Sequence, residues 1–362
     1  MNKHNYAVIM AGGIGSRFWP MSKESHPKQF IDVLGTGESL IQMTYNRLQK
    51  VVPSNQIYIV TNTNYKSLVL EQLNVNEAQV LTEPQRKNTA PCIAYAAHKI
   101  YNLDEHANLI VAPSDHLILK EDKFVDIIHT ALEKSAKDNC LVTLGIKPSR
   151  PDTGYGYIQF ENQGDLMMGE VKKVKQFTEK PDRELAEIFV KSGDYYWNSG
   201  IFIWTAKTII ESFKKFKPEL NGLFESKAND YNTPNEQSFI DGAFNACEDI
   251  SIDFAILENA KNVYVVLANF GWSDLGTWGS LYAHLDKDFE GNATINEGAH
   301  LFDTENCIIN LPKDKLALIQ GLKDHIIVES DGVLMIVKQE DEQKIKGYLK
   351  EMKKKRPDQF QS

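Results

Sequence analysis

The chain has 362 residues, 42% of them hydrophobic and 25% charged, with a formal net charge of −9 and a pI near 5.6. This is the balance of a globular protein with one large and one smaller domain, and it excludes a nucleic-acid surface, which requires a basic face. Four dispersed cysteines, Cys92, Cys140, Cys247 and Cys307, form no C-x-x-C pair, which argues against a zinc site or a disulfide framework.

An apolar run from Tyr6 to Met10 predicts a buried first strand. It starts so near the N-terminus that no signal peptide is expected, and no apolar run reaches membrane-spanning length. The expectation is a cytoplasmic protein with no membrane partner. Next comes AGGIGSRFWPMSKESHPKQF, from Ala11 to Phe30. Gly12, Gly13 and Gly15 let the backbone turn its N–H groups toward an anion. Arg17 and Lys28 add two positive charges, so the stretch reads as a grip for a polyphosphate, with a simple tight connection as the alternative. The P-loop spacing is absent. Phe18 stands where a dinucleotide fingerprint needs its third glycine, and Pro20 and Pro27 keep a helix from starting on schedule.

Periodicity then predicts helices over 40–51, 65–73 and 89–101 and strands over 56–61, 78–81 and 107–111. Asn88 or Thr89 can cap the third helix, and Pro91 is tolerated in its first turn. Phe124, Ile127, Ile128, Ala131 and Leu132 make an amphipathic stripe, and 140–146 returns to strand. Such alternation means a parallel sheet covered by helices, with ligands beyond the carboxyl ends of the strands. From Asp152 the rhythm changes. Strands are predicted over 157–160, 171–177, 200–204 and 263–267, helices over 183–191, 207–216 and 251–260, and a surface loop over 229–236. A helix starting about Thr277 closes this region, and 286–298 reads as a linker. Short apolar runs at 299–302, 307–311, 316–319, 326–328 and 333–337 suggest a small all-β unit or a β-solenoid fragment. The last segment, 340–355, reads as a solvated helix with lysines gathered toward its C-terminus.

Two carboxylates sit where chemistry is expected. Asp115 follows the 107–111 strand in Ala-Pro-Ser-Asp-His, and Asp274 follows another in Gly-Trp-Ser-Asp-Leu-Gly. Together they could hold one Mg²⁺, which takes few protein oxygens and completes its shell with phosphates and water. Either alone would be an ordinary turn-capping Asp. Lys180 and Glu179, held at a strand tip by Pro181, suit a second phosphate and vicinal hydroxyls; the plain alternative is a surface ion pair. Asn198 and the turn from Asp152 to Tyr157 offer amide and backbone groups of the kind sugars need. His116 is set aside as a general base, because a phosphate nucleophile near neutral pH is already largely dianionic. Asp286-Lys287-Asp288 imitates an acidic metal motif but falls in the linker, where a solvated role is expected.

The ordered segments AGGIGSRFWPMSKESHPKQF, TEPQRKNTAP, APSDH, DTGYGYI, FTEKP, WNSGIF and WSDLGTW resemble the mannose-1-phosphate guanylyltransferases over roughly the first 285 residues, and more loosely the β-rich tail. The resemblance implies a nucleotidyltransferase α/β fold, a Rossmann-like mixed sheet with helices on both faces, over residues 1–288. A short left-handed β-helix-like domain would follow over 289–362. It implies transfer of GMP from GTP to mannose 1-phosphate with Mg²⁺, giving GDP-mannose and pyrophosphate. Ala11, Gly12, Gly13, Gly15, Ser16, Arg17, Lys28, Glu83, Asn88 and Ser114 would then bind nucleotide, with Glu83 accepting from guanine N–H groups. Gly156, Glu179, Lys180 and Asn198 would bind sugar phosphate, Asp115 and Asp274 the metal, and Arg17, Lys28 and Lys180 would carry the catalytic charge. A homodimer is implied as well. Ile14 departs from the small or polar residue common in the family. The chain ends at Ser362, so the isomerase activity of longer bifunctional relatives is not expected. The alternatives are a guanylyltransferase for a manno-heptose or fucose phosphate, or a silent regulatory subunit; Phe18 disfavours a Rossmann oxidoreductase.

Overall fold

Leu109, Ile110 and Val111 face alternately to opposite sides of one strand, yet each is essentially unexposed. Only a sheet covered on both faces buries such a run, and this determines the centre of the fold. The computed structural model describes residues 2–161 and 167–356. Their strands include β1 (Asn5–Ala11), β2 (Ile57–Asn62), β3 (Val80–Glu83), β4 (Asn108–Pro113) and β5 (Leu141–Ile146). They continue with β6 (Tyr157–Phe160), β7 (Val171–Thr178), β8 (Tyr195–Thr205) and β9 (Val263–Ala268). Among the described residues these nine form one sheet in the order β3-β2-β1-β4-β8-β5-β9-β7-β6.

The sheet is mixed, as the family resemblance implied, and not the wholly parallel one that the βα alternation by itself suggested. Strands β1 to β4 pair parallel, as do β5 and β9. Between the two sets runs β8, antiparallel to both β4 and β5. The long β8 begins five residues before the predicted strand, because Tyr195, Tyr196 and Trp197 are buried and pair with β6. On one side the helices Thr89–Leu103, Ala206–Phe216, Pro218–Glu225 and Glu236–Ala246 share the main core with the sheet. The stripe Phe124, Ile127, Ile128, Ala131 and Leu132 is buried on the helix Glu121–Asp138, which packs on β4, β5, β8 and β9.

The chain divides into two compact units that do not follow a single cut in sequence. The first holds residues 1–12, 44–114 and 118–272, and the second holds 13–43, 115–117 and 273–362. The boundary expected at 288/289 therefore falls inside the second unit. The reason is a shared core: Phe18, Val33 and Leu40 bury with Trp278, Leu281, Ile308, Ile326 and Ile345. The expected linker also contains a strand, β10 (Ala293–Ile295), flanked by the buried Asn292. Further on come β11 (Ala299–Phe302), β12 (Ile308–Asn310), β13 (Ala317–Gln320), β14 (His325–Ser330) and β15 (Val333–Lys338). The ladders β10-β12-β14 and β11-β13 are parallel, so residues 15 to 18 apart in sequence, such as Ala293 and Ile308 or Ala299 and Ala317, stand side by side. In contrast to these ladders, β14 and β15 pair antiparallel.

Candidate active site

The residues expected to grip the triphosphate from Gly13 onward, with Asp115 and Asp274, gather in the second unit, whereas Lys180 lies in the first. Where β1 ends, the turn from Gly12 to Gly15 leads into a short 3-10 helix, Ser16–Phe18. Phe18 anchors that helix by packing on Trp278, with ring centroids 5.0 Å apart. At Gly15 φ is +62°, and a Cβ there would lie 2.3 Å from the Cβ of Lys28, so only glycine fits. The Gln29 side-chain amide donates to the Gly13 carbonyl at 3.0 Å. The Ser22 hydroxyl donates to the carbonyls of Ile14 and Gly15 at 3.1 and 2.6 Å. The acceptors of the turn are thus bound to protein, which leaves its N–H edge for an anion. The side chain of Ser16 lies outside what is described.

Lys28 is the hub of this cluster. Only 3% exposed, it sits 2.8 Å from Asp115 Oδ2 and donates to the carbonyls of Asp274 and Leu275 at 3.0 Å each. All three protons of its ammonium are thereby engaged. Leu275 carries φ +44°, a left-handed conformation rare for a branched residue, and its carbonyl is one of those acceptors. Burial works to raise the Asp115 pKa, but Lys28, with help from His116, outweighs it and holds the carboxyl below its ordinary value. The Asp274 carboxylate accepts from the Gly276 N–H at 3.1 Å. Asp115 and Asp274 line one cavity of about 380 Å³ together with Gly15, Arg17, Lys28 and Lys346. Among the described residues no group of three or more His, Cys, Asp or Glu is placed to hold a metal. Two carboxylates in one cavity with the glycine turn nonetheless suit Mg²⁺, which takes few protein oxygens and fills its shell with water and phosphate. Asp288, by contrast, is exposed, as the solvated reading expected, and accepts from the N–H groups of Glu290 and Asn292 at 3.1 and 2.7 Å.

The remaining expected residues lie in the first unit, in two places. At the end of β3 the Glu83 carboxylate is 4% exposed, and its Oε1 has no hydrogen-bond partner. Its Oε2 would be 3.6 Å from a Cβ placed on Gly12. Burial pushes its pKa up to about 8, against smaller lowering by Cys92 and Arg86. A buried, unpartnered acceptor of this kind suits a ligand that brings donors. Asn88 is committed elsewhere, its side chain accepting the Thr89 N–H at 3.0 Å to cap a helix. The Ala11 carbonyl accepts from the Thr61 hydroxyl at 2.9 Å, and Ser114 is buried with its N–H donating to the Met10 carbonyl at 3.0 Å. These two support the strand ends.

Gly156, Glu179, Lys180 and Asn198 come together as a second group. A Cβ on Gly156 would lie 2.5 Å from Glu179 Oε2 and 3.4 Å from the Asn198 Cβ, so a larger residue there would displace the Glu179 carboxylate. Lys180, with φ +46°, ion-pairs with Glu179 while its own side chain stays exposed. Asn198 Oδ1 accepts from the Thr143 hydroxyl at 2.8 Å, and its Nδ2 donates to Asp253 Oδ1 at 3.0 Å. Asp253 was not anticipated. It opens a π-helix, Asp253–Leu257, inside a segment read simply as a helix over 251–260. Burial, then the Glu179 carboxylate, pushes its pKa up to about 7, against its own N–H, Lys180 and Ser251. An acid at the head of Ser251-Ile252-Asp253 was the available signal.

Residues 6–290 match the model of the nucleotidyl transferase family. The chain is 35% identical over 362 residues to a mannose-1-phosphate guanylyltransferase of Klebsiella pneumoniae, covering 98% of this chain and 75% of that one. It is 36% identical over 343 residues to the alginate biosynthesis protein AlgA of Pseudomonas fluorescens, covering 94% and 70% of the two chains. A crystal structure from Thermus thermophilus, described as a mannose-1-phosphate geranyltransferase, superposes with a TM-score of 0.86 at 27% identity, over 97% of this chain and 99% of that one. With a nucleotidyl transferase match across most of its length and relatives this similar, the chain belongs to the mannose-1-phosphate guanylyltransferases of the nucleotidyl transferase family.

Proposed function

We propose that this protein transfers GMP from GTP to α-D-mannose 1-phosphate, giving GDP-mannose and pyrophosphate. The observation that carries the reading is Lys28, one buried ammonium that ties Asp115 to the Asp274 loop beside the Gly15 turn. In this reading a phosphate oxygen of the sugar phosphate attacks the α-phosphorus in line. A new P–O bond forms as the bond to the bridging oxygen of the pyrophosphate breaks, and the electron pair leaves with pyrophosphate. The nucleophile is already anionic near neutral pH, so no base is required of His116. Catalysis then consists of holding two anions that repel each other and neutralising the charge that moves to the leaving group.

Arg17 and the N–H edge of the turn take the triphosphate, Lys180 takes the sugar phosphate, and Glu179 and Asn198 take hydroxyls. Glu83 accepts from guanine. Asp115 and Asp274 would hold Mg²⁺, which when bound supplies Lewis-acid stabilisation of phosphate charge. The parallel ladders from β10 to β14 support a left-handed β-helix. We further infer a homodimer acting in the cytoplasm; among the described residues no helix is long and apolar enough to cross a membrane. Pyrophosphate release measured with four nucleoside triphosphates against several sugar 1-phosphates tests the whole reading. Release confined to GTP with mannose 1-phosphate is expected; a stronger response to a manno-heptose or fucose phosphate would replace the substrate.

A further inference from the structure

A nucleoside triphosphate carries several negative charges, and the cavity at the Gly15 turn must neutralise them. Lys28 already gives its three donors to Asp115, Asp274 and Leu275, which leaves Arg17 as the expected cation still available to a ligand. The same cavity has a further cationic wall, Lys346. It belongs to the C-terminal helix, Ile345–Lys355, far along the chain from the turn.

The chain leading into Lys346 is held at two points. The preceding residue, Ile345, is 2% exposed and packs in the core that contains Phe18 and Trp278. One turn earlier, Glu342 Oε2 accepts the Gly279 N–H at 2.8 Å. Lys346 itself is exposed, and no protein carboxylate pairs with it among the described residues. An exposed lysine that lines the same cavity as Gly15 and Arg17, on a long flexible side chain, is suited to follow a phosphate group as it departs.

We propose that Lys346 is a nucleotide-binding residue, an ammonium that the C-terminal helix supplies to the distal phosphates of GTP and to the pyrophosphate that leaves. The assignment rests on the guanylyltransferase reading. It gives the C-terminal helix a part in the active site that the lysines further along it, such as Lys353 with Glu24 Oε2 4.0 Å away, do not share.

Calorimetric titration of the full-length protein with GTP and with GMP at fixed Mg²⁺ tests it, using the parent, Lys346→Gln and Lys346→Arg. Lys346→Gln is expected to weaken GTP binding about tenfold, the loss of one charge-assisted contact, while GMP binding changes by less than about twofold. Lys346→Arg restores most of the GTP affinity. In steady state, Lys346→Gln raises KM for GTP and for pyrophosphate in the reverse direction, but leaves KM for mannose 1-phosphate unchanged. Equal losses for GTP and GMP would show a merely structural residue, and unchanged GTP binding a solvated one; either overturns the assignment. A parent protein that bound no guanine nucleotide would instead bring down the guanylyltransferase reading, and this assignment with it.

Discussion

Lys28 Nζ stands 2.8 Å from Asp115 Oδ2, and the same nitrogen holds the carbonyls of Asp274 and Leu275. One side chain therefore joins the two segments that carry Asp115 and Asp274, the acids proposed to hold Mg²⁺. Replacing it by the similarly shaped methionine leaves a carboxylate and two carbonyls without their donor. Lys28→Met is expected to lower stability by about 2–4 kcal/mol in urea denaturation and to abolish pyrophosphate release. The pH dependence follows from Asp115, whose folded pKa is depressed. Its contribution is present above the ordinary carboxylate range and is lost as pH falls through the depressed value. Asp115→Asn should remove that acid-side loss.

Asp253 provides a separate test of the sugar subsite. Asp253→Ala frees the Asn198 amide and is expected to raise KM for the sugar phosphate about tenfold, with KM for GTP unchanged. The groups around it are Glu179, Lys180 and Ser251, with Glu258 accepting from the Glu179 N–H. Because its folded pKa is raised to about 7, its stability contribution is complete below the ordinary Asp range and is lost as pH rises through 7. Asp253→Asn should therefore flatten the fall in stability between about pH 4 and 8. A variant whose unfolding midpoint followed the parent across that range would contradict the assignment.

The guanine-accepting role proposed for Glu83 predicts that nucleotide binding is linked to a proton. With its pKa near 8 the free carboxyl is mostly protonated at neutral pH. Guanine N–H donors favour the ionised form, so binding GTP at pH 7 should release close to one proton, about none at pH 9. Titrations in buffers of different ionisation enthalpy measure that release. Glu83→Gln should abolish it and weaken the preference for GTP over ATP by about tenfold or more.

Gly15→Ala places a methyl group where the Lys28 side chain already is, at a positive φ. The backbone conformation alone costs about 1 kcal/mol, and the overlap must displace Lys28. Turnover is expected to fall at least about a hundredfold, while Gly13→Ala, which meets nothing within 4 Å, should be far milder.

The buried strands and the Phe124 stripe were legible because burial on a sheet leaves a period in the sequence. The strand over 157–160 and the helix start at Thr89 stand where they were read. Two helices, Pro218–Glu225 and Glu236–Ala246, escaped, the second because its polar approach resembled a loop. The insertion of β8 against β4 and β5 is a long-range pairing that no local pattern announces. The glycine turn and the two acids Asp115 and Asp274 were singled out from residue type, and the structure brings them to one cavity. Lys28 was expected to meet phosphate directly, and only its three-dimensional partners reveal it as a cross-link. Lys346 was hidden among equivalent lysines, since composition does not say which one faces a cavity.

The interleaving of segments 13–43 and 273–362 in one compact unit constrains how this protein can be rearranged. A chimaera that exchanged the C-terminal portion with a relative at residue 288 would sever the packing of Phe18 with Ile345 and Ile326. The mouth of the phosphate cavity would then be lined by mismatched halves. Recombination should succeed only where the Gly13–Met43 segment travels with the tail, so the two behave as one heritable module although some 230 residues of sequence stand between them.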